Sequence, residues 1–315
     1  MADLPPGGYD AAAFEARLVE SARAGGVDAP SLTAVLTAGG KRVRARLVHL
    51  FGALCGGDPG SVGELALGVE MLHAATLVHD DIIDNATSRR GRVTLHTDAG
   101  SDVAMLVGDL YIARCGVHLA ATGSAAATAE VFRAFDAMAR GELAQRERRF
   151  DLEQDEEDYV HTIEAKTASL LEAACAAAAI VSGGDERAVR EARAYGREVG
   201  ITFQVVDDIL DYTATDAELG KPAGGDIAEG TVTLPLILAM RQAPGATREL
   251  VAASRRDGDF APVIEAVRRS GAVERCTEVA EHHAAMAQEA LLAFPDGPER
   301  AALAELAAGL VTRRG

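Results

Sequence analysis

The sequence predicts an all-α protein, and three observations carry that prediction. Alanine is abundant throughout, leucine and valine recur at helical spacing, and the breakers between periodic stretches are short. Strict apolar–polar alternation, the mark of a half-buried strand, is almost absent. Apolar residues make up 48% of the 315 positions, which excludes disorder as the dominant state and leaves ample chain for a sizeable core.

Taken in order, the pattern predicts helices over 42–55, 61–85, 101–120, 125–149, 156–182, 186–212, 233–241, 259–269, 272–293 and 298–313. The separators are runs such as Gly56-Gly57-Asp58-Pro59-Gly60, Thr122-Gly123-Ser124 and Gly183-Gly184-Asp185. Many helices joined by short loops give a bundle rather than a parallel-sheet protein. With no composition shift, repeat or low-complexity tail, residues 1–315 read as a single domain. The stretch 213–231 is polar and glycine-rich. A loop that long in a compact bundle reads as a mobile segment over an active site.

The net charge of −17 leaves no basic field for nucleic acid or an anionic membrane. No uninterrupted apolar run reaches membrane-spanning length, the longest being the alanine-rich stretch near Ala173 to Val181. The first ten residues lack a basic-then-apolar leader. Cys55, Cys115, Cys175 and Cys276 lie in apolar stretches without metal-ligand spacing, as buried free thiols in a reducing compartment would. These features together give the expectation of a cytoplasmic protein.

Two carboxylate clusters are the strongest signal. Asp80-Asp81-Ile82-Ile83-Asp84 follows Thr76-Leu77-Val78-His79, and Asp207-Asp208-Ile209-Leu210-Asp211 follows Phe203-Gln204-Val205-Val206. With 23 aspartates in the chain, chance supplies roughly 0.1 occurrences of Asp-Asp-x-x-Asp. On a helix the first and fifth residues share a face, and like charges so placed demand cations. All-oxygen ligands without His or Cys at ligand spacing suit Mg²⁺, or Mn²⁺ in its place, and Mg²⁺ is held by a few carboxylates plus substrate phosphates. His79 points about 100° off that face and is expected to pack rather than ligate.

The cations complete the pattern. Only three of the 31 basic residues are lysines: Lys41, Lys166 and Lys221. Lys41-Arg42-Val43-Arg44 follows Gly39-Gly40 at a helix start, where backbone N–H groups favour anions. Arg89-Arg90-Gly91-Arg92 follows the first cluster and Lys221 the second, while Lys166-Thr167 lies within a helix.

From Gly39 to about Ile237 these motifs resemble, in order, those of the trans-isoprenyl diphosphate synthases, the polyprenyl synthetase family. The matching stretches are Gly39-Gly40-Lys41-Arg42-x-Arg44; Glu70-Met71-Leu72-His73 through Asp84 and Arg89-Arg90-Gly91; Gly141-Glu142-Leu143 with Gln145; Lys166-Thr167; Phe203-Gln204 through Asp211; Gly220-Lys221-Pro222 with Gly225-Asp226; and Thr233-Leu234-Pro235. All three lysines fall on positions where the family binds diphosphate.

The resemblance implies a homodimeric helical bundle around a deep central cavity. It implies head-to-tail condensation of isopentenyl diphosphate with an allylic diphosphate. It places Mg²⁺ on Asp80, Asp81, Asp84, Asp207, Asp208 and Asp211, and the allylic diphosphate on Arg89, Lys166 and Lys221. It places the second diphosphate on Lys41, Arg44, His73 and Arg90, with Thr167 and Gln204 near the allylic cation. Two positions depart from the family: Ala45 replaces a frequent proline, and Thr231 replaces the usual lysine, removing one diphosphate contact. A class I terpene cyclase, whose second metal motif normally differs, and a non-catalytic subunit of a heteromeric synthase are the competing readings.

Product length follows from helical geometry. A growing chain runs past Thr76 and Ala75, about one pitch (~5.4 Å) before Asp80. Family members with short products carry aromatic residues there. The small residues here imply a product longer than C15, geranylgeranyl or longer, with Met105 and Phe132 as deeper candidates and Ala75→Phe as a plug.

Overall fold

The computed structural model describes residues 6–24, 30–89, 91–214 and 224–312, and the described chain is almost entirely helical. It divides into two compact units. The first comprises Met1–Arg133, Ala173–Arg193 and Ala293–Leu303; the second comprises Ala134–Glu172, Ala194–Leu292 and Ala304–Gly315.

The helices run in the order α1 (Ala11–Arg23), α2 (Ser31–Ala34), α3 (Val43–Leu54), α4 (Pro59–Ile83), α5 (Leu95–Ala99), α6 (Ser101–Ala121), α7 (Ala125–Glu147) and α8 (Glu156–Ile163). A π-helical turn, Glu164–Ala168, leads into α9 (Ser169–Val181) and α10 (Glu186–Thr213). Then come α11 (Gly225–Glu229), α12 (Leu234–Gln242), α13 (Pro244–Asp257), α14 (Ala261–Arg269), α15 (Ala272–Ala290) and α16 (Pro298–Val311). Between α4 and α5 a two-stranded antiparallel ribbon, β1 (Ser88–Arg89) and β2 (Arg92–Val93), pairs Ser88 with Val93 and Arg89 with Arg92.

In the first unit α4 is the central element, packed on α3 and α6. Asp58 caps it by accepting from Ser61 N at 2.9 Å, and Pro59 opens it where a missing N–H costs nothing. Val62, Leu65, Val69, Met71, Leu72 and Val78 are all buried, so α4 is apolar nearly all round, as a core helix is. The second unit closes around α12, whose Leu234 to Met240 are buried with Tyr159, Ile201, Val205, Tyr212, Val263 and Val267. A reciprocal capping box, Asp155 with Asp158, starts α8.

Several expectations need correction. The sequence assigned no helix to α1, α5 or α13. Pro244-Gly245 reads as a breaker, yet proline is favoured in a helix's first turn. The 156–182 helix is interrupted by the π turn. Of the 213–231 loop, Gly225–Glu229 is helical, while 215–223 lies outside the described residues. Two helices, Pro59–Ile83 and Ser101–Ala121, do have the length and mean hydropathy to span a membrane, because hydropathy averages over their isolated charges. For α4 burial in the unit's core explains this; α6 keeps Met105, Leu106 and Val117 exposed. Cys115, Cys175 and Cys276 are buried free thiols as expected, whereas Cys55 is half-buried.

Candidate active site

Both aspartate clusters fall in the closing turns of long helices. Asp80 and Asp81 belong to the last turn of α4 with Asp84 as its C-cap, and Asp207, Asp208 and Asp211 to the last two turns of α10. A helix C-terminus carries the negative end of the macrodipole, so carboxylates there are unfavourable without cations. Two independent helices carry this arrangement.

In the first unit Asp81 is the inward member, buried at 4% exposure, while Asp80 is half-buried and Asp84 exposed. Arg89, presented by β1, donates Nε–H to Asp81 Oδ1 at 2.7 Å. The loop before α3 is built around another arginine. Gly39 and Gly40 have φ of 83° and 151°, and Arg42 itself sits in the left-handed region at φ 43°. Three partners hold it there: Glu15 accepts from Nε at 2.6 Å and from Nη2 at 3.0 Å, the Leu36 carbonyl accepts from Nη2, and Glu70 lies 3.6 Å from Nη1. Burial alone would lower the Arg42 pKa, but the Glu15 and Glu70 carboxylates hold it above its usual value. Glu70, almost fully buried, also accepts from Ala45 N at 3.1 Å. Arg42 therefore fixes the loop, while Lys41 beside it stays exposed and Arg44 half-buried.

The other first-unit residues sort by the exposure of α4. His73, Thr76 and Asp80 line its accessible side, whereas Ala75 has no accessible surface. Met105 and Phe132, named from the sequence only as deeper chain-length candidates, are exposed at 53% and 36% on α6 and α7. His79 packs as expected: a Cβ at Gly108 would fall 2.1 Å from its Nε2, so the Nε2 end of the ring lies close against glycine. Arg90 and Lys221 lie outside the described residues.

In the second unit Lys166 and Thr167 sit in the π turn, a distortion common at functional sites. Close approach is built in on both sides. A Cβ at Gly141 on α7 would meet Ala165 at 3.0 Å, and one at Gly200 on α10 would fall 2.5 Å from the Ala168 Cα. Lys166 Nζ is 2.7 Å from Glu142 Oε2 and 2.7 Å from Gln145 Oε1. Burial works to raise the Glu142 pKa, but Lys166 and Arg146 bring it below the usual range.

Thr167 donates to Gln204 Oε1 at 2.7 Å, and Gln204 Nε2 donates to Asp208 Oδ1 at 2.7 Å. Asp208 Oδ2 accepts from the buried Tyr159 hydroxyl at 2.6 Å. Burial, then the Asp226 and Asp207 charges, push the Asp208 pKa well up against these two hydrogen bonds. Asp211, also buried, accepts from Asp226 N at 3.1 Å, and Asp207 is exposed. Thr231 is tied to the same segment, its N–H donating to Asp226 O at 2.8 Å.

Among the described residues no three His, Cys, Asp or Glu side chains converge as a ready metal cage. The donor chemistry still fits a hard cation. Mg²⁺ takes much of its shell from substrate phosphates and water, so its carboxylates need not converge beforehand. Sequence reasoning gave no role to Tyr159, Glu70, Glu142 or Gln145. The last three stand inside the quoted motifs, which was a signal; Tyr159 had none.

The sequence profile of a family described as polyprenyl synthetase matches residues 29–268. Heptaprenyl diphosphate synthase component 2 of Bacillus subtilis (strain 168) is 34% identical over 275 residues, covering 87% of this chain and 79% of that one. Octaprenyl diphosphate synthase of Escherichia coli (strain K12) is 34% identical over 277 residues, 87% of this chain and 86% of the other. In structure, the polyprenyl synthase from Caulobacter crescentus CB15, complexed with calcium and isoprenyl diphosphate, superposes with a TM-score of 0.90 at 36% identity, covering 96% and 95% of the two chains.

Proposed function

This chain belongs to the polyprenyl synthetase family, and we propose that it condenses isopentenyl diphosphate head-to-tail with an allylic diphosphate to give a trans-polyprenyl diphosphate longer than C15. One observation carries the reading: two long helices each end on the same three-aspartate set, where their dipoles make uncompensated carboxylates unfavourable. The matched relatives are named for heptaprenyl and octaprenyl products, and the residue on the accessible side of α4 one turn before Asp80 is the small Thr76. Both favour a long product.

Mg²⁺, with Mn²⁺ as a substitute, fits the six aspartates Asp80, Asp81, Asp84, Asp207, Asp208 and Asp211. The calcium in the Caulobacter relative is likewise a hard, oxygen-seeking cation. Bound there, the metal supplies charge neutralisation to the departing diphosphate. Arg89 and Lys166 bind that diphosphate by exchanging a carboxylate partner, Asp81 or Glu142, for phosphate oxygens, and Lys221 adds to them. Lys41, on the loop that Arg42 fixes, takes the diphosphate of isopentenyl diphosphate together with Arg44, His73 and Arg90. Thr167 and Gln204 face the allylic cation, and the segment 213–231 excludes water while that cation exists.

The exposed apolar side of α6 (Met105, Leu106, Val117) favours a homodimer. The Bacillus relative is named a component, which favours a second reading in which a different chain completes the assembly. Purified protein incubated with Mg²⁺, isopentenyl diphosphate and each of several allylic primers tests both. Products longer than C15 from this chain alone are expected. Release of diphosphate without consumption of isopentenyl diphosphate would identify a cyclase, and inactivity relieved by a second chain a heteromer.

A further inference from the structure

Four side chains of the second unit form one hydrogen-bonded line: Tyr159 to Asp208 at 2.6 Å, Gln204 to Asp208 at 2.7 Å, and Thr167 to Gln204 at 2.7 Å. Tyr159 and Asp208 are buried, whereas Thr167 and Gln204 keep accessible surface. The line has a direction. Tyr159 and Gln204 Nε2 point donors at both Asp208 oxygens, and the same amide turns its Oε1 toward Thr167. The single hydroxyl hydrogen of Thr167 is then committed to Gln204, so lone pairs, not a hydrogen, are what Oγ1 presents on its open side.

Tyr159 is the far anchor of this line. Its hydroxyl fixes Oδ2 and thereby holds Oδ1 in place for Gln204. Tyr159 stands on α8 and Thr167 in the π turn that follows, so the same stretch of chain supplies both ends. We propose that Tyr159 is a positioning residue: by anchoring Asp208 it sets the polarity of the Asp208–Gln204–Thr167 line, so that an oxygen lone pair faces the allylic cation. This rests on the condensation proposed above. A cation forming in a site shielded from water is stabilised by dipoles already aimed at it, and a hydroxyl turned the other way opposes it.

Tyr159→Phe tests this with little change of shape. The kcat of condensation is expected to fall roughly tenfold, with KM for both diphosphates unchanged. A second readout needs no turnover. Two diphosphates of equal length are compared by calorimetry, one with an ammonium nitrogen at the cationic carbon and one with uncharged carbon there. The preference for the ammonium compound is expected to fall about tenfold in Tyr159→Phe, with affinity for the uncharged one preserved. Equal loss of affinity for both, or an unchanged preference, would show that Tyr159 only fills space. Should Tyr159→Phe not fold, Thr167→Val decides: it removes the lone pair in the same shape, and retained preference for the ammonium compound would overturn the proposal. If the wild-type chain binds the uncharged diphosphate and condenses substrates, failure of these variants falls on Tyr159 alone; if it does neither, the proposed function fails first.

Discussion

At the end of α4 the buried Asp81 is answered by a guanidinium, and that guanidinium, Arg89, is itself 38% exposed. At the end of α10 the buried Asp208, in the same place within the same five-residue pattern, is answered by a phenol and an amide. The difference concerns what can be exchanged. A cation with access to water can turn from a carboxylate to a phosphate without being left unsatisfied. The phenol, sealed in a core, has nowhere else to go, and an unsatisfied buried donor costs about 1–3 kcal/mol. Under the proposed function, the first cluster would exchange its partner when substrate arrives, while the second is already held by its buried phenol.

The sharpest way to break this comparison is to remove each carboxylate. Asp81→Ala should lower kcat/KM by about 10³-fold or more, on the scale of losing a transition-state contact, and chelation should abolish activity, with Mg²⁺ restoring it better than Zn²⁺. A folded Asp81→Ala enzyme with wild-type turnover would remove the cluster from the mechanism. Next in size is stability. Asp208→Ala strands the buried Tyr159 donor and should cost about 1–3 kcal/mol, whereas Asp81→Ala, which leaves a cation with access to water, should cost less than ~1 kcal/mol. Urea melts of the two variants would erase the distinction if their midpoints shifted equally.

Third, the accessible side of α4 can be probed. Thr76→Phe should shorten the product without much loss of stability. Ala75→Phe, at a position with no accessible surface, should instead overpack the core by about 1–3 kcal/mol. Product chromatography beside thermal melts separates the two effects. Fourth, Thr231→Lys should tighten primer binding by ~1 kcal/mol, the upper range for an exposed pair; an unchanged KM would show that another cation already serves.

The smallest effect is a pH dependence. Glu142 has its pKa lowered on folding, so its contribution is present above the unfolded carboxylate value and is lost as pH falls through the folded one. Lys166→Met should flatten that acid limb of stability, and an unaltered limb below about pH 4.5 would show that Lys166 is not the partner that matters.

Much of this was legible in the sequence because it depends on neighbours along the chain. The helices, the two aspartate sets and the packing of His79 all follow from periodicity and spacing. What escaped depends on residues distant in sequence. Nothing near Tyr159 announces a partner 49 positions away, and nothing near Arg42 announces Glu15 or Glu70. Met105 and Phe132 could not be placed because apolar character alone does not say which side of a helix faces inward. Helix α13 was missed because a proline that opens a helix looks, in isolation, like one that ends it.

The π turn has one further consequence, and it concerns helical phase. Tyr159 and Thr167 are eight residues apart, which on an unbroken α-helix would set them about 80° out of phase. A π turn inserts one residue without advancing the helix by its share of rotation. Eight residues then behave as seven, leaving the two side chains within about 20° of each other. Relaxing that turn to regular α-helix at unchanged chain length would rotate everything before it by about 100°, carrying Tyr159 away from Asp208, whereas deleting one residue there would regularise the helix and keep the phase.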